Sequence, residues 1–216
     1  MGGLLLAIFF LSAWPEEVKA QEAGHLVISE VQIAGATAND EFIELYNPTA
    51  TSIDLEALPL YLHIRNSTGT NYKKTLSFIK KIIPAKGFFL IAHTGFASAV
   101  APDATYQSTS GNLVSNGAVY ISTSATKDTE VIDMAGWASA PQGGCENTCA
   151  SPTNDLAPLN SLTRKPGGEE GNGQDTDNNE NDFLPAGLSH PQNSLSPLIA
   201  GLPLPFPDTT PPSEVT

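Results

Sequence analysis

Two short stretches rich in β-branched and aromatic residues lie close together near the start of the chain. The first is Leu26–Ile33, with the sequence LVISEVQI, and the second is Glu41–Tyr46, with the sequence EFIELY. Such residues suit a pleated, half-buried strand better than a helix. The connection between them, Ala34–Asp40, contains Gly35 and Asn39, and its short length favours an antiparallel hairpin. The sequence therefore predicts a β protein organised around this hairpin.

More strands are predicted farther along the chain, where apolar and aromatic runs are bounded by glycine, proline, asparagine and serine. They are Leu58–Arg65, Lys74–Ile79, Phe88–Ala92, Ala118–Ser122, Thr129–Trp137 and Ser161–Lys165. No stretch carries a sustained apolar period of about 3.6 residues together with a cap, so the sequence predicts no helix. The side chains expected in the core are Phe42, Ile43, Leu45, Tyr46, Phe89, Ile91, Tyr120 and Trp137.

The chain of 216 residues is strongly acidic, with a formal net charge of −13. This charge argues against a general nucleic-acid-binding role. Six of the ten basic residues nevertheless fall between Arg65 and Lys86. The lysines among them could form a basic patch that binds phosphate or DNA, or they could protect the edges of outer strands. The net charge favours the second interpretation.

The N-terminus carries an apolar run, Gly3–Trp14. It is shorter than a membrane span of about 20 residues, and it is typical of the apolar region of a signal peptide. Val18 and Ala20 supply small residues at the spacing of a cleavage site, although no Lys or Arg precedes the run. We therefore expect a signal peptide at residues 1–20, a protein that is secreted or held at the cell surface, and no membrane span after signal removal.

The two cysteines, Cys145 and Cys149, lie in a loop rich in glycine and asparagine. In an exported protein such a pair indicates a disulfide. Because the closed loop is short, the bond would stabilise the fold by only about 1–2 kcal/mol. The alternative is half of a metal site, but such a site normally needs four ligands and no histidine lies nearby in the sequence.

Several of these segments together resemble the lamin-tail domain family. The matching motifs are I-x-E-V at Ile28–Val31, EFIELYNP at Glu41–Pro48, F-x-L-I after a Pro-Gly turn at Phe88–Ile91, S-L-x-R at Ser161–Arg164 and D-T-D-x-N-x-x-D-F at Asp175–Phe183. The resemblance covers roughly Gly24–Ser194. It implies an all-β, immunoglobulin-like β-sandwich of the lamin-tail type, with a binding or scaffolding role.

The C-terminus has a different composition. Ser196–Pro207 alternates leucine with proline and indicates an extended linker. Asp208–Thr216 resembles the start of a fibronectin-type-III-like domain in bacterial surface proteins. We therefore expect a lamin-tail-like domain at 21–194, a proline-rich linker at 195–216, and a further domain downstream in a longer modular protein.

An acidic loop near the end of the resemblance offers oxygen ligands at alternating positions. Asp175, Asp177, Asn179 and Asp182 are candidate ligands of calcium, which prefers carboxylate and carbonyl oxygens. The loop does not follow the EF-hand pattern, because Glu180 stands where glycine is required. The alternative is a solvated turn in which Asp and Asn side chains bond their own backbone. No other cofactor is expected.

Glu30 and Glu44 form the second acidic candidate. If the hairpin is symmetric about Thr37, the two glutamates lie directly opposite each other. They then share a face with Ile28, Gln32, Phe42 and Tyr46. Their repulsion requires relief by a cation, by Arg164, by backbone donors or by a raised pKa. A general acid/base pair is one interpretation, and a purely structural pair is the simpler one.

The remaining sequence carries no catalytic motif. His25, His63, His93 and His190 are scattered, and there is no H-E-x-x-H, G-x-S-x-G or Walker motif. The sequence thus predicts a non-catalytic extracellular interaction or structural module that contacts an unidentified protein or cell-surface partner. One alternative is an accessory domain of a secreted nuclease or phosphoesterase whose catalytic domain lies outside this chain. Another is a weak DNA-binding module that uses Lys73–Lys86.

The signal-peptide prediction is directly testable. N-terminal sequencing of the secreted protein should find a chain that begins near Gln21, because the apolar run and the small residues place cleavage there. A secreted form that begins at Met1 would contradict it.

Overall fold

The structure is a computed structural model, and it describes residues 22–107, 111–151, 158–167 and 171–199. The predicted signal peptide and most of the predicted linker lie outside these ranges. The strands are β1 (Val27–Gln32), β2 (Phe42–Asn47), β3 (Ile53–Asp54), β4 (Tyr61–Arg65), β5 (Asn71–Lys74), β6 (Leu76–Phe78), β7 (Ile82–Ile83), β8 (Gly87–His93), β9 (Ala104–Tyr106), β10 (Ala118–Ser122), β11 (Val131–Gly136), β12 (Asn160–Thr163) and β13 (Gly187–Leu188). One turn of helix, α1, spans Asn179–Asp182.

The strands form two main sheets. The large sheet has seven strands in the order β13-β12-β1-β2-β8-β9-β6, and the small sheet has four in the order β11-β10-β4-β5. Neighbours are antiparallel except β8 and β9, which are parallel. Strands β3 and β7 form a separate pair. Within the described ranges, no helix is long and apolar enough to cross a bilayer.

The core lies between the inner faces of the two sheets. The large sheet contributes Ile43, Leu45, Phe89 and Ile91, and the small sheet contributes side chains such as Ile64. All of these residues are buried, because alternate side chains of each strand point to one face. This architecture confirms the predicted immunoglobulin-like β-sandwich.

Each predicted strand corresponds to a strand in the structure, but two neighbouring segments differ in detail. The predicted strand Lys74–Ile79 is divided, since Lys74 ends β5 in the small sheet whereas Leu76 begins β6 in the large one. The chain therefore changes sheets at Thr75. The sequence did not predict the short strands β3, β7, β9 and β13 or the helix α1. Each of them has too few residues to show a hydrophobic periodicity.

The predicted core residues are all buried, but three of them lie outside the space between the sheets. Phe42 and Tyr46 lie on the outer face of the large sheet, where they pack with Phe96 and Phe88, respectively. Tyr120 stacks on the ring of His63 at a centroid distance of 4.5 Å, on the outer face of the small sheet. All three side chains are nevertheless buried.

A β-bulge in β1 determines which of its side chains face the core. Ile28 pairs with Leu45, but the next paired residue is Glu30, opposite Glu44, so Ser29 is the extra residue. Ile28 consequently joins the inner core, while Glu30 lies on the outer face. The prediction that Ile28 shares a face with Glu30 is therefore wrong, because one inserted residue reverses the alternation.

A buried ion pair forms hydrogen bonds with the N–H and the carbonyl of Ile28, which lies next to the bulge. Arg164 Nε donates to the carbonyl of Ile28 at 2.7 Å, and Asp133 Oδ2 accepts the N–H of Ile28 at 2.5 Å. Arg164 Nη2 donates to both carboxylate oxygens of Asp133 at 2.8 Å. The guanidinium also lies over the ring of Phe183, 4.7 Å from its centroid. Since Asp133 belongs to β11, this pair joins the small sheet to the large one.

Removal of the guanidinium should strongly destabilise the fold. Arg164→Met should lower the free energy of unfolding by about 3–5 kcal/mol, because it leaves the Asp133 carboxylate buried without its cation. Urea denaturation at pH 7 measures the change. The control is Lys165→Met, since Lys165 Nζ donates to Asn181 in an exposed position and should contribute no more than about 1 kcal/mol. Equal small losses in both variants would contradict the assigned role of Arg164.

Candidate functional site

The two glutamates that the hairpin was predicted to bring together do face each other. Glu30 pairs with Glu44 in the register of β1 and β2, and both side chains are buried. Glu30 Oε1 accepts bonds from the Ser161 hydroxyl and, at 2.9 Å, from the N–H of His190. Both donors come from segments far away in the sequence.

Glu44 is held in a similar way. Its Oε1 accepts a bond from the Ser29 hydroxyl at 2.6 Å, and its Oε2 accepts the N–H of Gln192 at 2.5 Å. Hydroxyl and backbone donors therefore bond three of the four carboxyl oxygens of the pair. The alternative that Arg164 relieves it is wrong, since the guanidinium is engaged by Asp133 on the other side of the bulge.

Burial and mutual repulsion keep a proton on this pair. Burial raises the pKa of Glu44 well above its usual range, and the charge of Glu30 raises it further. Burial also raises the pKa of Glu30, and the donors Ser161 and His190 offset only part of that increase. The pair consequently holds a proton at pH values where an isolated glutamate is ionised.

The chain segment 187–199, which we call the C-terminal strap, covers the pair. It begins at β13 beside β12 and continues over the outer face of the large sheet. Ser194 donates to Asp103 from its N–H at 2.8 Å and from its hydroxyl at 2.5 Å. Farther on, the N–H of Ile199 donates to the carbonyl of Lys86 at 2.9 Å. The strap therefore separates the two glutamates from an external substrate.

The acidic loop adopts the turn that was the alternative to calcium binding. The carboxylate of Asp182 accepts bonds from the N–H of Thr176 at 3.0 Å and from its hydroxyl at 2.8 Å, and it also accepts the N–H of Asn178. The side chain of Asn178 in turn caps α1 by accepting the N–H of Glu180. The loop thus bonds its own backbone.

Asn179 is not arranged as a calcium ligand. Its Oδ1 accepts the N–H groups of Gly136 at 2.8 Å and of Glu146 at 3.2 Å. Its Nδ2 donates to the carbonyl of Met134 and to the carboxylate of Glu146, both at 2.9 Å. An amide oxygen that already accepts two bonds has no lone pair left for a cation. The side chain instead ties α1 to β11.

The structure places Glu146, His25 and Asp133 beside the acidic loop, which the sequence did not predict. Ligand atoms of Glu146, Asp175 and Asp182 lie within 4.8 Å of one another, as do those of His25, Asp133 and Asp175. In the second group, Arg164 already provides a positive charge, 2.8 Å from Asp133 and 3.7 Å from Asp175. Calcium binding by this region, including Asp177, stays a prediction.

Glu146 is the acidic residue most affected by this arrangement. Burial raises its pKa to about 8, and the charges of Asp133 and Asp175 contribute to the increase. At neutral pH its carboxyl therefore holds a proton. Asp175 behaves in the opposite way, because a hydrogen bond from His25 lowers the pKa of Asp175.

The predicted disulfide is present and positions Glu146. Cys145 and Cys149 are bonded, with their Cα atoms 5.0 Å apart. The loop rests directly on β11 at Gly136, where a Cβ atom would lie 1.9 Å from the carbonyl oxygen of Gly144. Only glycine at this position lets the loop approach closely enough for Glu146 to reach the N–H of Met134.

Three of the six basic residues between Arg65 and Lys86 form ion pairs with acidic residues. Arg65 pairs with Asp128, Lys81 pairs with Glu56 at 2.5 Å and Lys86 pairs with Glu22 at 2.8 Å. Lys74 is buried, whereas Lys73 stands over the ring of Tyr61 on the edge strand β5. Acidic neighbours therefore neutralise half of the six basic residues in this stretch.

Fold and site together define an immunoglobulin-like β-sandwich whose buried carboxylates hold its loops in place. A comparison with protein families matches residues 19–143 to the Lamin Tail Domain, which is more than half of the chain. The chain belongs to the lamin tail domain family. No curated protein matches the chain. The matched region ends before β12, which is a strand of the large sheet, and before the C-terminal strap, which lies over the outer face of that sheet.

The adjacent residues Asn178 and Asn179 should differ clearly in their contribution to stability. Asn179→Ala should lower the free energy of unfolding by about 3 kcal/mol or more, because it leaves buried N–H and carbonyl groups unsatisfied at roughly 1–3 kcal/mol each. Asn178→Ala removes one helix cap and should cost about 1 kcal/mol. Chemical denaturation of both variants measures the difference. A loss at Asn179 no larger than the loss at Asn178 would contradict its role between α1 and β11.

Proposed function

We propose that this protein is a non-catalytic, extracellular interaction or structural module of a modular secreted or surface protein of bacterial origin. The observation that carries the proposal is the state of the Glu30–Glu44 pair, the arrangement that most resembles a general acid/base pair. Fixed donors bond three of its four carboxyl oxygens, and the C-terminal strap covers it. General acid/base catalysis needs a carboxyl within hydrogen-bond reach of a substrate, and this arrangement does not provide one.

The cysteines support an extracellular location. The bond between Cys145 and Cys149 is of the kind that persists in oxidising compartments, and it agrees with export by a signal peptide at residues 1–20. A modular context is supported by Asp208–Thr216, which resembles the start of a fibronectin-type-III-like domain. The predicted signal peptide and Asp208–Thr216 lie outside the described residues, so these parts of the proposal rest on the sequence.

A contact function agrees with the composition of the surface. The net charge of −13 and the ion pairs at Arg65, Lys81 and Lys86 disfavour nucleic acid as the partner. Exposed leucines, among them Leu159 and Leu188, remain available to a protein or another cell-surface partner. We therefore propose that the protein recognises its partner by surface contact and does not convert it chemically.

An activity assay tests the absence of catalysis. The purified protein should give no turnover of nucleic-acid, phosphoester or polysaccharide substrates, with or without calcium, because the acidic pair is covered. Glu44→Gln serves as the matched variant and should behave like the wild type. Turnover that disappears in Glu44→Gln, while the melting temperature is unchanged, would show that the protein is an enzyme and would overturn the proposal.

A further inference from the structure

The C-terminal strap is attached to the sheet by alternate backbone N–H groups, and each of them ends on a carboxylate. His190 donates to Glu30 of β1 at 2.9 Å, and Gln192 donates to Glu44 of β2 at 2.5 Å. Ser194 donates to Asp103, just before β9, at 2.8 Å. Because β1, β2, β8 and β9 are consecutive in the sheet, the strap runs across them. Its amides therefore form no ladder with a neighbouring strand at these positions.

Apolar packing holds the strap only weakly. Leu188, Leu195 and Leu198 are 71%, 78% and 57% exposed. Ile199 alone among its larger apolar residues packs on the buried outer-face cluster, which includes Tyr46 and Phe88. Segments with few buried apolar contacts open at a lower free energy than the core. The bonds to the carboxylates consequently carry much of the attachment.

The protonation of Glu30 and Glu44 is linked to docking of the strap. Burial is the largest cause of the raised pKa of both groups, and the strap is part of what buries them. A raised pKa means that the docked state binds a proton more tightly than a state in which the pair meets water. Docking is therefore strongest near and below the ordinary glutamate pKa of about 4.3, and it weakens as pH rises through the raised values.

Few other groups act on this pair. From the strap, the N–H and the charge of His190 lower the pKa of Glu30, and the N–H of Gln192 lowers the pKa of Glu44. The neighbours from the adjacent strands are uncharged: the hydroxyls of Ser29 and Ser161, and Leu90 of β8 opposite Glu44. The proton on the pair is thus governed mainly by burial and by the repulsion between its two members.

We propose that the C-terminal strap is a proton-dependent latch that stays docked while Glu30 and Glu44 share a proton and loosens when both carboxyls ionise. Loosening replaces two facing, buried negative charges with two hydrated ones. It also uncovers the apolar outer face beneath Ile199, which includes Tyr46 and Phe88. The domain would then present a different surface in acidic and in mildly alkaline surroundings.

Amide hydrogen exchange measured by NMR on the purified protein tests the latch. Protection factors are compared at pH 5 and pH 8, because they divide out the intrinsic pH dependence of exchange. At His190 and Gln192 they should fall between pH 5 and pH 8, because docking of the strap weakens as both carboxyls ionise. At Ile43 and Ile91 in the core they should stay the same.

Glu44→Gln is the variant that separates the latch from other causes of pH-dependent protection in the strap. Its amide carbonyl accepts the N–H of Gln192 and its NH2 group donates to Ser29, so it imitates the protonated carboxyl. Protection at Gln192 should then be equal at both pH values. Glu30→Gln provides a second variant with the same expectation, in case the first does not fold.

Asp103→Asn is the matched control, because Asp103 binds the same strap but lies outside the pair. Its amide oxygen still accepts the N–H of Ser194, so protection at Ser194 should change by the same factor at both pH values, and the pH dependence at Gln192 should stay as in the wild type. The latch is overturned if wild-type protection at Gln192 does not change with pH, or if Glu44→Gln keeps the wild-type dependence. A parallel loss at Ile43 and Ile91 would assign the change to global unfolding and would overturn it as well.

Discussion

The buried pair of Arg164 and Asp133 is the interaction on which the rest of this structure depends. Beside the bulge at Ser29, the N–H of Ile28 donates to Asp133 and the carbonyl of Ile28 accepts a bond from Arg164. An unsatisfied buried backbone group is costly, so the bulge requires such partners. The bulge in turn places Ile28 in the core and Glu30 on the outer face. Through Asp133 in β11, the same pair joins the two sheets.

Carboxylates serve throughout this acidic protein as acceptors for backbone N–H groups of distant segments. Asp103 accepts the N–H of Leu90 as well as that of Ser194, and Glu41 accepts the N–H of Leu113. Many strands are only two to four residues long, so long connections have few ladder bonds of their own. A charged acceptor makes a stronger bond than a neutral one and holds such a connection in place. Acidic residues here therefore organise loops. The C-terminal strap differs from the other connections, because the two buried glutamates that hold it face each other and repel when both are ionised.

The family match and the structure describe different extents of the same domain. The match ends at residue 143, yet β12 lies beside β1 within the large sheet and supplies Ser161 to Glu30. The outer face of that sheet is likewise closed by residues up to Ile199. The predicted domain end at Ser194 stays a prediction, while the packed part of the chain continues five residues farther, to Ile199.

The sequence by itself determined the features that depend on neighbouring residues. The hairpin, the opposition of Glu30 and Glu44, the strands with clear apolar runs and the disulfide within one loop were all predictable, because local composition and spacing decide them. Only the tertiary structure decided which face Ile28 takes, which acid Arg164 meets and where Asn179 points. Ile28 and Asp133 are 105 residues apart, and Gly136 and Asn179 are 43 apart. No local pattern encodes such contacts, since a single inserted residue in a strand reverses its faces and the partner of a buried polar group is whichever segment the fold brings beside it.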